Sequence, residues 1–303
     1  MRRSMLSLLS SVVLGAAVLT TAQAEAPAAG TTLTFVAHQD DDLLFMNPDI
    51  AMDVEAGNNV WVVYLTAGEV HTRDPMSYAN MRIEGERAAY AKTARVPNKW
   101  TYEELWVNGR PLATNRLNGT NVRLVFTFVH GASGECKDVN GDPRGDLYRM
   151  LKDPSYVARP IDGRPSYTRE SFTAVLHTLI GYVNPAHIRS SSTIGHRDDP
   201  NSDHVDHTSG AIFAAEADLD SARNTWIRRD EYTGYHSRDL PENVFGYWQT
   251  RKIEIWDEYW PHDPAVARDS HAYAFSRQIR PDDRVFRPGT PWVPPGDFSV
   301  PGC

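Results

Sequence analysis

The 303-residue sequence predicts an α/β fold: a mostly parallel sheet with helices on both faces, followed by a C-terminal extension. Three observations point there. Short apolar runs of strand length alternate with longer helical patterns. Two of the predicted strands feed directly into clusters of histidine and aspartate, as strand ends do at an α/β ligand site. The composition, 41% hydrophobic and 23% charged, is that of a globular chain long enough to bury a sizeable core.

The N-terminus is set apart from this fold. MRRSM is basic, LSLLSSVVLGAAVLTTA is apolar and small, and Ala22-Gln23-Ala24 fits a signal-peptidase site. Residues 1–24 are therefore expected to be a signal peptide. The apolar stretch is short and broken by Ser and Gly, which argues against a membrane anchor. Arg2-Arg3 leaves the export route open between the general and twin-arginine pathways. The mature chain, 25–303, is expected to be one exported domain with a core over about 32–225 and an extension over about 226–303. The chain carries a formal charge of −8, and losing Arg2 and Arg3 makes it more acidic still. That charge argues against nucleic acid or an anionic membrane as the main partner. No later segment is long and apolar enough to span a bilayer. Oligomeric state is not legible.

After the lead-in EAPAAGT, TLTFVAH reads as a buried strand ending at His38. NNVWVVYLTAGE holds a second, Trp61 to Leu65, stopped at Ala67-Gly68. MSYANMRIEGERAAYAKTAR reads as a helix. Asn108-Gly109 and Asn118-Gly119 are turn signals between short strands, and LVFTFV is a core strand. YTRESFTAVLHTLIGYV is an amphipathic helix with Phe172, Val175, Leu176 and Leu179 on one face. IRSSSTIGH reads as a strand ending at His196, and HVDHTSGAIFAAEADLDSAR as a helix. YWQTRKIEIWDEYW suits either an edge strand pair or a helix packed on the body. The last 23 residues hold six prolines and suit an extended tail. Cys136 and Cys303 either pair, as an oxidising compartment allows, or remain free thiols.

Two clusters carry the chemistry. AHQDDD, 37–42, follows the first strand, and HRDDPNSDHVDH, 196–207, follows a later one. Zinc takes imidazole nitrogen and carboxylate oxygen, and a catalytic zinc uses three protein ligands with a position left for water. Distant His/Asp clusters at two strand ends suit one shared metal.

AHQDD resembles the A-H-P-D-D signature of the PIG-L, or LmbE-like, de-N-acetylases, and HVDH resembles their later H-x-D-H signature. DDLLFMNPDI and YTGYHSRDLP are similar to stretches of secreted members. The resemblance implies a Rossmann-like core over residues 32–210. It implies one Zn2+ per chain, or another divalent metal, held by His38, Asp41 and His207. Asp40 would be the general base, His204 would stabilise the oxyanion, and the activity would be removal of an acetyl group from an N-acetylglucosamine-type sugar or glycoconjugate. Asp206 would orient an imidazole. Arg82 resembles a family arginine that contacts sugar hydroxyls, or is a surface helix residue. Glu69, after the second strand, would touch substrate. Two positions depart from the pattern: Gln39 stands where proline is common, with its amide available to substrate, and Ser202 stands where some members carry a catalytic tyrosine.

Other readings stay open. His196, Asp198 and Asp199 form a rival ligand set. Asp203 suits a helix cap beside incidental histidines. Asp42 is expected in solvent, its alternatives being an outer-shell acid or a cap. DVNGD, 138–142, has the alternating oxygens of a calcium loop without the closing glutamate. Trp248, Trp256, Tyr259 and Trp260 suit either core packing or stacking on sugar rings. A zinc amidohydrolase for a non-sugar acyl amide and a non-catalytic carbohydrate-binding protein are the alternative functions. Asp40 favours an enzyme, because a site without turnover needs no base.

Overall fold

The structure, a computed structural model, describes residues 30–69, 72–133, 136–137, 140–141, 144–195, 203–219, 227–280, 299–300 and 303. Its strands are β1 (Thr31–Val36), β2 (Asn59–Tyr64), β3 (Trp100–Val107), β4 (Arg110–Leu117), β5 (Val122–Phe126), β6 (His187–Ser191) and β7 (Arg228–Tyr232). They form one seven-stranded sheet in the order β3-β4-β5-β2-β1-β6-β7. Strands β5, β2, β1, β6 and β7 pair in parallel, and the β3–β4 hairpin extends the sheet antiparallel beyond β5. The helices are α1 (Asp49–Glu55), α2 (Pro75–Ala94), α3 (Asp146–Lys152), α4 (Arg169–Val183), α5 (Val205–Leu219) and α6 (Gly246–Tyr259).

The central strands are apolar runs because both of their faces are covered. Alternate side chains divide between two cores. Leu33, Phe35, Trp61, Val63 and Leu65 pack with Phe172, Val175 and Leu176 of α4 and Phe213 of α5. Val36, Val60, Val62 and Tyr64 pack with Ile50 of α1, Ile83 and Tyr90 of α2 and Trp256 and Tyr259 of α6. Each such large side chain contributes about 1.5–3 kcal/mol by leaving water. The helices start and stop where the chain supplies caps. Asp74 accepts the Ser77 N–H at 3.1 Å ahead of α2, and Thr168 and Ser171 form a capping box for α4.

Three expectations change in detail. β1 stops at Val36, two residues short of His38, because the His38 N–H is taken by the Asp41 carboxylate at 2.8 Å. The aromatic segment after residue 246 is a helix packed against α2. The predicted extension also supplies β7, the edge strand of the same sheet. Trp256 and Tyr259 are core residues, at 1% and 0% exposure, and Trp248 and Trp260 pack against that core half-buried. Lys252 of α6 is buried and donates to the carbonyls of Leu44, Ala274 and Arg277 at 2.6–2.8 Å, which ties α6 to the turn after β1. Cys136 and Cys303 form a disulfide, their Cα atoms 5.0 Å apart. Among the described residues no helix is long and apolar enough to cross a membrane.

β1 lies between β2 and β6, so chain crossovers leave it in opposite directions. A crevice forms outside the carboxyl end of the strand at such a switch point. The loops there continue to pair after the strands end. Leu65 N–H reaches Val36 O at 2.9 Å, Thr66 N–H reaches Ala37 O at 3.0 Å, and Ala67 N–H reaches Val129 O at 2.8 Å. The segments after β1, β2 and β5 therefore lie side by side.

Candidate metal centre and catalytic site

Two segments meet in this crevice. The turn after β1 brings His38 to Asp42, and the first turn of α5 brings His204 to His207. One ring nitrogen from each of His38, His204 and His207 lies within 4.8 Å of the others. Asp41 sits among them, with Oδ1 at 2.9 Å from His207 Nε2 and Oδ2 at 3.4 Å from His38 Nδ1.

Each of the two histidines predicted as ligands has a carboxylate behind it. His38 Nε2 meets Asp206 Oδ2 at 3.1 Å, and His207 Nδ1 meets Asp203 Oδ1 at 2.7 Å. Asp206 is fixed in turn by the Ala132 N–H at 2.6 Å. A carboxylate on one nitrogen selects the tautomer that leaves the other nitrogen's lone pair for a metal. Asp206 stands behind His38 in this way. Asp203, read from the sequence as a cap, stands in the same relation to His207. Asp203 also accepts the neighbouring His204 N–H at 2.8 Å. Close packing enforces the contact: a Cβ at Gly234 would lie 2.5 Å from Asp203 Oδ1 and 2.8 Å from His207 Nδ1.

The donor set fits a divalent metal. His207 Nε2 is buried and within ion-pair range of Asp41, yet its geometry makes no hydrogen bond. Two groups pointed at a common centre have this relation. Asp41 is held well below the usual carboxylate range: burial works against its charge, and His207 and His38 overcome that penalty. Burial also opposes charge on His38, but Asp41 and Asp206 raise it to about 9. His204 goes the other way, pushed down to about 3 by burial and by His38. Its Nδ1 accepts the Asp206 N–H at 3.1 Å, so a neutral His204 carries its proton on Nε2.

Asp40 occupies different surroundings. Its backbone is strained, with φ at 110°, a region a non-glycine residue enters only when its neighbours hold it there. The Glu86 carboxyl accepts its N–H at 2.8 Å, and Arg82 Nη2 lies 2.9 Å from its Oδ1. Burial raises Asp40 to about 7 against the pull of Arg82. Asp42 turns into the core. It is fully buried, and its Oδ2 accepts the hydroxyls of Tyr64 at 3.0 Å and Tyr90 at 2.6 Å. The expectation that Asp42 is solvated is therefore corrected.

Three further expectations are revised. Arg82 neither lies on the surface nor stands free for sugar hydroxyls. It is 7% exposed, and its guanidinium is committed to Asp40, Tyr259, Asp263 and the carbonyls of Gly68 and Gln39. The Gln39 side chain is fully buried against Thr66 and Gly68, so it does not reach toward substrate. Glu69 is buried and engaged by the His130 ring and the Gly131 N–H. His196, Asp198, Asp199, Ser202 and the two aspartates of DVNGD lie outside the described residues.

Sequence reasoning missed Glu86, Tyr235, Asp263 and the place of Asp203 behind His207. The Tyr235 ring lies 5.2 Å from that of His207 and 5.5 Å from that of Phe45, walling the site from beyond β7. Only Asp203 had a local signal, its i, i+4 spacing to His207 at the start of a helix.

Residues 33–217 match the family model described as GlcNAc-PI de-N-acetylase, PIG-L, and the chain belongs to that family. No curated protein matches the chain. Among solved structures, it resembles the A40926 pseudoaglycone deacetylase at 13% identity and a TM-score of 0.43, covering 80% of this chain and 88% of that one. The zinc-inhibited form of teicoplanin deacetylase aligns at 13% identity and 0.43, over 84% and 99%. The N,N′-diacetylchitobiose deacetylase from Pyrococcus horikoshii aligns at 14% and 0.41, over 83% and 71%.

Proposed function

We propose that this protein is an exported, zinc-dependent N-deacetylase that removes the acetyl group from an N-acetylglucosamine-type sugar or glycoconjugate. The observation that carries the reading is the pair of carboxylate-backed histidines facing Asp41, with a buried, Arg82-bound Asp40 beside them. Family membership supports the reaction class.

His38, Asp41 and His207 would hold the zinc, which supplies a Lewis acid for the amide carbonyl and lowers the pKa of water. The chain's own groups do the rest. Arg82 engages Asp40 through Oδ1, so Oδ2 is the oxygen that can take a proton from the attacking water. A carboxylate poised near 7 takes that proton at neutral pH and returns it to the leaving amine. His204 offers its Nε2–H to the negative charge developing on the carbonyl oxygen.

Export is supported by the composition of residues 1–24 and by the Cys136–Cys303 disulfide, which suits an oxidising compartment. Outside the cell the substrate would be an extracellular glycan, a cell-wall amino sugar or a glycosylated secondary metabolite. The test is acetate release by the zinc-loaded mature protein from a panel of N-acetylated sugars. Asp40→Asn should lower turnover about 10²- to 10⁴-fold while zinc stays bound. A wild-type protein that binds zinc stoichiometrically and releases no acetate from any sugar would overturn the sugar assignment, leaving a non-sugar amide or a binding protein.

A further inference from the structure

The family match ends at residue 217, yet two residues beyond it reach the catalytic side of the crevice. Tyr259 is the last residue of α6, and Asp263 follows one short helical turn later. Tyr259 is fully buried and Asp263 is 3% exposed. Asp263 Oδ2 lies 2.9 Å from Arg82 Nε. The Tyr259 hydroxyl accepts from the same Nε at 3.0 Å and lies 2.8 Å from Asp263 Oδ2 and 2.9 Å from Gln39 O. Nη2 of the same guanidinium meets Asp40, and Nη1 donates to Gly68 O at 3.0 Å. Packing closes the arrangement: a Cβ at Gly85 on α2 would lie 2.8 Å from the Tyr259 ring.

We propose that Asp263 and Tyr259 are positioning residues for the reaction, acting through Arg82 to aim and charge-balance Asp40. The inference rests on the deacetylase reading, with Asp40 as base. The physical reason is the fork of the guanidinium. Bound at Nε by Asp263 and Tyr259, the fork is kept from swinging about its flexible stem, and its Nη2 then meets one chosen oxygen of Asp40. The charge count agrees, since one guanidinium lies between two buried carboxylates. Without Asp263, the whole guanidinium charge would fall on Asp40 and weaken it as a base. Without Arg82, two acids would face each other out of water. The C-terminal segment is in this view part of the catalytic machinery.

The experiment is a double-mutant cycle on the zinc-loaded, full-length mature protein. Asp263→Asn should lower kcat roughly 10- to 100-fold with KM within about twofold of wild type, the pattern for a group that acts only on the transition state. Tyr259→Phe should lower it about 2- to 10-fold, the worth of one hydrogen bond. In an Asp40→Asn background, Asp263→Asn should cost nothing further. A raised KM with unchanged kcat, or an undiminished loss in the Asp40→Asn background, overturns the proposal. A second reading does not need turnover. The effects of Asp40→Asn and Asp263→Asn on urea unfolding should not add, because each leaves Arg82 with one carboxylate partner instead of two. Strict additivity overturns the link between them. If the wild type releases no acetate from any sugar, the functional reading has failed and the unfolding cycle still decides this one. Should Asp263→Asn fail to fold, Tyr259→Phe carries the same two readouts.

Discussion

The two sides of the crevice are built by opposite means. The candidate metal side, His38, Asp41, His204, Asp206 and His207, comes from two short segments, joined directly by His38 to Asp206 and by Asp41 to His207. The base side needs α2 for Arg82 and Glu86, and the far end of α6 for Tyr259 and Asp263, before Asp40 has its environment. Asp40 and Asp41 are adjacent in sequence and belong to different halves. The first is raised to about 7 and the second is held well below the carboxylate range. What differs is the partner: a single shared guanidinium, against two imidazoles.

The hardest break in the comparison is Asp41→Asn. It should remove metal binding and with it at least about 10³-fold of the activity, measured as zinc stoichiometry beside acetate release. Asp40→Asn, by contrast, should keep its zinc. Gly234→Ala asks whether the metal side also depends on the C-terminal part. Its Cβ would press on Asp203 and His207, so a loss of up to about 3 kcal/mol in stability is expected in urea unfolding, with weakened zinc binding. An Ala variant as stable as wild type would show that the contact relaxes freely.

Smaller again is Asp203→Asn. Losing the charge behind His207 should weaken zinc affinity about 10- to 100-fold, read by competition with a chelator, and Asp206→Asn should do the same through His38. The smallest effect concerns the seam that joins the C-terminal part to the sheet. Asp230 on β7 lies 3.1 Å from His187 on β6 and 2.7 Å from Arg228. Burial works against its charge, and these two partners bring it down to about 2 from a usual 3.8. A depressed carboxylate stabilises the fold fully above its unfolded value and loses that contribution as pH falls. The stability difference between wild type and Asp230→Asn, about 1 kcal/mol at neutral pH because the exposed Arg228 is screened by solvent, should shrink between pH 4 and pH 2. A difference that stays constant through that window would assign the pair no role in acid stability.

Much of the metal side was legible because its residues are consecutive, or a helical turn apart, at the ends of recognisable strands. The place of Asp206 beside these residues was legible for the same reason. Asp42 was misjudged because three adjacent acids suggest solvent, and nothing local shows that Tyr64 and Tyr90 wait in the core to receive one. Arg82 was misjudged because an arginine in a helix ordinarily lies exposed. Its burial depends on Tyr259, 177 residues away. The aromatic run of α6 advertised a core or a sugar platform, and gave no sign that its last turn reaches the base.

The sequence by itself determined the alternation of strands and helices, the two clusters at strand ends, the family and the candidate metal donors. These follow from periodicity and from residue chemistry, both written within a few positions. Only the tertiary structure decided where the three aspartates point. A turn held at a φ of 110° has no period, so neighbouring side chains there take directions set by what packs around them. Asp41 turned to the histidines, Asp42 to two core tyrosines, and Asp40 to an arginine held in place from the other end of the chain.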